Sequence, residues 1–127
     1  MSKVLIVEDN PTVVNLYRNA LRSAGFSVQA VNDGAAVADA LTAFDPDAVL
    51  LDLVLPSVDG LTLLRQMRSD ARFTTLPVIV FSNTYTNDRL NEIWEAGATQ
   101  VMSKASSTPK LVTDAVRAAV ASRPPRP

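Results

Sequence analysis

The sequence predicts an α/β fold: a single doubly wound domain with a five-stranded parallel sheet and helices on both faces. Three observations support this. Five short apolar runs alternate with five amphipathic stretches, the order of a chain that crosses back after every strand. The third run, residues 47–52, is nearly continuous in apolar character, as a strand covered on both faces must be. The 127 residues suit one domain able to bury most of its apolar surface.

The first run is KVLIV, followed by a helix over residues 10–26. Asn10 is a good N-cap, Pro11 suits the first turn, and Val14, Tyr17 and Leu21 recur at helical spacing until Gly25 stops it. SVQAV is the second run; the turn Asn32-Asp33-Gly34 leads to a helix over residues 35–44 that ends before Asp45-Pro46. After the third run, a proline-containing turn precedes a helix over residues 61–70. Pro77 opens the fourth run, VIVF, and Gly97 ends the helix over residues 88–97. TQVMS is the weakest run. Thr108 and Pro109 then cap and open the last helix. The domain is expected to span residues 1–122, with RPPRP, residues 123–127, as a disordered tail or the start of a linker.

Composition removes several classes of function. The chain has no cysteine and no histidine. Disulfides, thiolate metal sites, histidine-ligated metals and Ser-His or Cys-His catalysis are therefore excluded. A net charge of −1 gives no basic footprint for direct nucleic-acid binding or for a membrane surface. The apolar run at the N-terminus, Val4 to Val7, is too short for a signal peptide, and no segment approaches the ~18 apolar residues of a bilayer span. The expected location is the cytoplasm.

In an open parallel sheet, ligands bind outside the carboxyl ends of the strands, where strand order reverses. The first run ends in Glu8-Asp9, the third in Asp52, the fourth in Ser82 and the fifth in Ser103-Lys104. In the order 2-1-3-4-5, strands 1 and 3 flank the reversal, which gathers Asp9, Asp52, Ser82 and Lys104 around one crevice. Taken singly, each has an ordinary explanation: acids cap helices, serines bond loops, lysines are solvated. Together at one edge they are harder to dismiss.

Two carboxylates ~4 Å apart repel by roughly 4 kcal/mol at an effective dielectric near 20. Glu8, Asp9 and Asp52 therefore call for cations. Lys104 offsets one charge, and an all-oxygen donor set with few carboxylates suits Mg²⁺ for the rest. Beside a metal and a lysine, Asp52 can act as nucleophile toward a phosphoryl group, with Ser82 donating to one of its oxygens.

These motifs resemble the receiver domain of two-component response regulators over nearly the whole chain, Lys3 to about Ser122. VLIVEDN is similar to the family's first strand with its metal-binding acidic pair, Glu8 and Asp9. LLDLVLPSVDG is similar to the phosphoacceptor segment: Asp52 matches the phosphorylated aspartate, and Val54 the position whose backbone carbonyl also binds the metal. Ser82 matches the switch hydroxyl and Lys104 the invariant lysine. The resemblance implies a flavodoxin-like (βα)5 sheet in order 2-1-3-4-5 and Mg²⁺ as cofactor. It further implies a histidine kinase or phosphotransfer protein as donor, and an output protein or effector domain outside these residues. It implies a signalling phosphoacceptor rather than an enzyme acting on other substrates.

Four positions depart from the pattern. Ala105 follows the lysine where the family has proline, Asn83 replaces a small residue, Val101 replaces an aromatic, and Ser82 replaces the commoner threonine. Val54, Asn83 and Thr84 border the phosphate in the family and are expected to tune its lifetime. Tyr85 is first read as a surface loop residue; a weaker expectation makes it a substitute mobile ring acting toward Trp94. The alternative function is a pseudo-receiver, an interaction module independent of phosphorylation. An aspartyl-phosphate hydrolase fits worst, since Val54 stands where a general acid would follow Asp52.

Overall fold

The computed structural model describes residues 2–83 and 87–124. Strands β1 (Lys3–Val7), β2 (Ser27–Val31), β3 (Ala48–Asp52), β4 (Val78–Ser82) and β5 (Gln100–Ser103) alternate with helices α1 (Pro11–Ser23), α2 (Val37–Phe44), α3 (Gly60–Ser69), α4 (Asn87–Glu95) and α5 (Pro109–Ala121). The strands form one parallel sheet in the order β2-β1-β3-β4-β5. This is the expected doubly wound, flavodoxin-like arrangement. Tail residues 125–127, and with them part of the expected linker, lie outside the described residues.

Alternation along each central strand sends side chains to two cores. Val4, Ile6, Leu50, Ile79 and Phe81 pack with Val14, Tyr17 and Leu21 of α1 and Val112 and Val116 of α5. Leu5, Val7, Val49, Leu51, Val78 and Val80 pack against α2, α3 and Ile93 of α4. Every residue of β3 and β4 is buried, which explains their unbroken apolar runs. Leu5, Leu51 and Leu64 are wholly buried, each stabilising the fold by about 2 kcal/mol in transfer terms.

The helix ends follow from local chemistry. Asn10 Oδ1 accepts from the N–H groups of Thr12 at 3.0 Å and Val13 at 3.3 Å, capping α1. At its other end Gly25, with φ 97°, lets the Phe26 N–H donate to Leu21 O at 3.0 Å. Helix α2 begins two residues later than the sequence suggests. Asp33 accepts from the Ala35 N–H at 2.9 Å and tightens Gly34–Ala36 into a 3-10 turn first. Asp70 likewise leaves α3 and caps the next short turn through the Arg72 N–H, at 2.9 Å.

Two cations serve backbone carbonyls at the amino edge of the sheet. Lys3 Nζ donates to Phe44 O at 3.1 Å. Arg68 is deeper. Its guanidinium donates to Gly97 O at 2.9 Å, Phe73 O at 2.7 Å and Leu76 O at 2.6 Å, tying α3 to the chain before β4 and to the end of α4. There Gly97, at φ 107°, closes α4 with the Ala98 N–H on Ile93 O at 3.3 Å. No described residue between Asn87 and Glu92 is fully buried, whereas Ile93 and Ala96 are.

Candidate functional site

Strands β1 and β3 are adjacent, and their carboxyl ends deliver Glu8, Asp9 and Asp52 to one place. One carboxylate oxygen from each lies within 4.8 Å of the others. Glu8 and Asp52 are buried, at 3% and 5% exposure, and Asp9 faces solvent. Strand β5 brings in Lys104, whose N–H donates to Ser82 O at 2.9 Å beyond the paired ends of β4 and β5. Its ammonium stands 2.6 Å from Glu8 Oε2 and 3.1 Å from Asp52 Oδ2. Backbone donors complete the carboxylates: the Asn10 N–H to Glu8 Oε1 and the Val54 N–H to Asp52 Oδ1, both at 3.2 Å.

The electrostatics are unbalanced. Burial, reinforced by nearby Asp52, holds the Glu8 carboxyl above its usual pKa despite the direct ion pair. Burial alone would lower the Lys104 pKa, but Glu8 and Asp52 reverse this and raise it. With all three carboxylates ionised, Lys104 neutralises one charge and leaves two. The site favours a further cation.

Gly60 sets the geometry of the loop after β3. A Cβ there would fall 2.5 Å from Leu53 Cα and 2.6 Å from Asp52 O, both backbone atoms that cannot yield. Gly60→Ala is expected to cost about 2–3 kcal/mol through overpacking, read as a lowered urea midpoint. An unchanged midpoint would show that the helix can back away from β3.

The profile of the response regulator receiver domain family matches residues 4–116. The chain belongs to that family. The receiver is 34% identical over 113 residues to the transcriptional regulatory protein TrcR of Mycobacterium tuberculosis, covering 87% of this chain and 42% of that protein. The chain spans less than half the length of the curated relatives it matches first. Two solved structures show its fold. The BeF3-activated N-terminal receiver domain of Klebsiella pneumoniae RstA has a TM-score of 0.86 at 26% identity, covering 94% of this chain and 98% of that one. The phosphorylated cyanobacterial phytochrome response regulator RcpA has 0.78 at 27%, covering 92% and 89%. Receivers of this family are signalling modules of two-component systems. No helix among the described residues is long and apolar enough to cross a membrane.

The receiver thus brings together Glu8, Asp9, Asp52 and Lys104, with Ser82 buried at the end of β4 beside them. Lys104 carries the single positive charge expected of it and shares it between two acids, Glu8 and Asp52. Val54 is 78% exposed at the mouth of the loop after β3, with its N–H on Asp52 Oδ1. Asn83 is exposed. Val101 is half-buried against the core on the α3 side of the sheet, and Trp94 is 47% exposed on α4. Thr84 and Tyr85 lie outside the described residues. The Lys104-Ala105 peptide is trans. Sequence reasoning missed the contact of Ser57 with Asp33, 24 residues away, and no spacing rule signals it. It read Gly60 only as turn chemistry.

Proposed function

We propose that this receiver accepts a phosphoryl group on Asp52 from a partner histidine kinase or phosphotransfer protein. The observation that carries the reading is the charge imbalance at the carboxyl edge: three carboxylates meet a single lysine. The donor set is all oxygen, which suits Mg²⁺ held by Glu8, Asp9, Asp52 and the Val54 carbonyl. Bound there, Mg²⁺ supplies neutralisation of charge on the phosphoryl oxygens. An Asp52 carboxylate oxygen forms the new bond to phosphorus as the bond to the donor's imidazole nitrogen breaks, its electron pair leaving with the nitrogen. Lys104 then exchanges part of its pairing with Asp52 for a phosphoryl oxygen, and Ser82 donates to another. Asn83 and Thr84, with Val54, adjust how long the phosphoryl group survives.

Residues 1–122 form the receiver in this reading, and its output is a partner protein or a module beyond it. TrcR, a transcriptional regulator more than twice as long as the matched stretch, is consistent with the second arrangement. Val101 in place of an aromatic means that the readout does not use a ring on β5.

Incubation with acetyl phosphate and Mg²⁺, followed by intact mass, should add one phosphoryl group, and EDTA should prevent it. A chain that keeps its unmodified mass under both conditions is an interaction module independent of phosphorylation, and the proposal falls. Asp9→Ala should weaken Mg²⁺ binding roughly tenfold or more, since an exposed anion is removed from the cation's surroundings. Unchanged affinity by calorimetric titration would remove Asp9 from the donor set.

A further inference from the structure

We infer that the Ser57 hydroxyl and the Asp33 carboxylate form a latch that positions the loop between Asp52 and Gly60, and with it the Val54 backbone. The inference rests on the Mg²⁺ reading for its functional consequence, because Val54 is the only proposed metal donor that does not come from a side chain.

Ser57 adopts φ 62°, the left-handed region that a residue with a Cβ enters at a cost. Such a conformation persists only where surrounding contacts hold it. Here one contact is local, the Val58 N–H donating to Pro56 O at 2.7 Å across Ser57, and the other reaches a neighbouring loop. Ser57 Oγ donates to Asp33 Oδ1, on the loop after β2. Asp33 is itself held in place, since the same oxygen accepts the Ala35 N–H at 2.9 Å. The Ser57 hydrogen bond, with that backbone donor, keeps the Asp33 carboxyl below its ordinary pKa, so the acceptor stays ionised.

The two loops also pack. A Cβ built on Gly34 would come within 2.9 Å of Val58 Cβ and 3.4 Å of Val58 O, so the neighbouring loop lies directly over that glycine. At the base of the loop the Gly60 N–H donates to Leu53 O at 3.0 Å. The segment is therefore closed at its base by Gly60 and held at its apex by Ser57. Val54 lies between these two points. Its side chain is exposed and anchors nothing, so its carbonyl goes where the loop places it. Its N–H, on the other side of the same residue, donates to Asp52 Oδ1 at 3.2 Å and links Val54 to the proposed phosphoacceptor side chain.

The test uses the 127-residue chain and its Ser57→Ala, Asp33→Ala and double variants. Ser57→Ala removes the hydroxyl without freeing φ, and Ser57 is exposed, so the fold survives. Losing one such hydrogen bond should weaken Mg²⁺ binding about fivefold in calorimetric titration, and the double variant should lose no more than the larger single effect. It should also raise amide exchange at Val54 and Leu55 about fivefold with no cation present. Wild-type Mg²⁺ affinity in Ser57→Ala overturns the latch, as do additive losses in the double variant. If the unsubstituted chain takes up no Mg²⁺, the metal reading fails. The latch is then decided by exchange alone: unchanged rates at Val54 and Leu55 overturn it, and raised rates support it.

Discussion

Asp52→Asn is expected to abolish the gain of one phosphoryl group in the presence of acetyl phosphate and Mg²⁺, with the fold retained. Three carboxylates share the site, and only Asp52 ends the central strand, buried and bonded to both Lys104 and the Val54 N–H. An amide oxygen can still accept from Val54, and Lys104 keeps Glu8 at 2.6 Å, so neither neighbour is stranded. What disappears is the anionic oxygen able to attack phosphorus. Labelling of Asp52→Asn equal to that of the unsubstituted chain would move the acceptor to Glu8 or Asp9. Peptide mapping would show which.

Lys104→Met is the second large effect, and it concerns stability as well as chemistry. Glu8 and Asp52 would remain buried with no cation between them. Removing one partner of a buried pair costs about 3 kcal/mol or more, so the metal-free protein should unfold at distinctly lower urea at neutral pH. The pH dependence has a definite sign. A carboxyl whose folded pKa is raised, as Glu8's is by burial and by Asp52, binds its proton more tightly folded than unfolded. Its contribution to stability therefore falls as pH rises from the unfolded value through the raised one. Loss of Lys104 raises Glu8 further and steepens that fall, so the deficit of the variant should shrink in acid. Mg²⁺ should recover part of it at neutral pH, by binding the folded state. A deficit independent of pH and of Mg²⁺ would assign Lys104 a packing role. The raised pKa of Lys104 acts at the alkaline end: its stabilisation is full below the ordinary lysine value and is lost only above it.

Much of this was legible from residue order because the relevant physics is local. Asn10, Pro11 and Gly25 bound α1 through bonds that span at most five residues. The unbroken apolar run of β3 reports burial on both faces, and an acid at its end then reports an edge. Once a parallel sheet is accepted, strand ends converge, so Asp9, Asp52 and Lys104 meet by topology. Contacts between loops follow no such rule. Ser57 reaches Asp33 across 24 residues, and its left-handed backbone carries no residue signature, since glycine is the residue expected there. The displaced start of α2 depends on one side chain, Asp33, competing for the first turn. The bond of Lys104 to Glu8, shorter than that to Asp52, depends on how a flexible side chain divides itself between two acceptors.

Arg68 and Gly97 give α4 a lopsided mooring. Its carboxyl end is clamped by a guanidinium bonded to Gly97 O and, across the same group, to Phe73 O and Leu76 O. Its amino half has no fully buried residue and reaches the loop after β3 through Arg89 and Asp59, 3.5 Å apart and both partly exposed. In mechanical terms the helix is a cantilever. Among the described residues, full burial and the bonds to Arg68 gather at the end near Gly97, at Ile93, Ala96 and Gly97 itself. The clamp uses neutral carbonyls rather than carboxylates, so neither acid nor salt slackens it as either would an exposed ion pair.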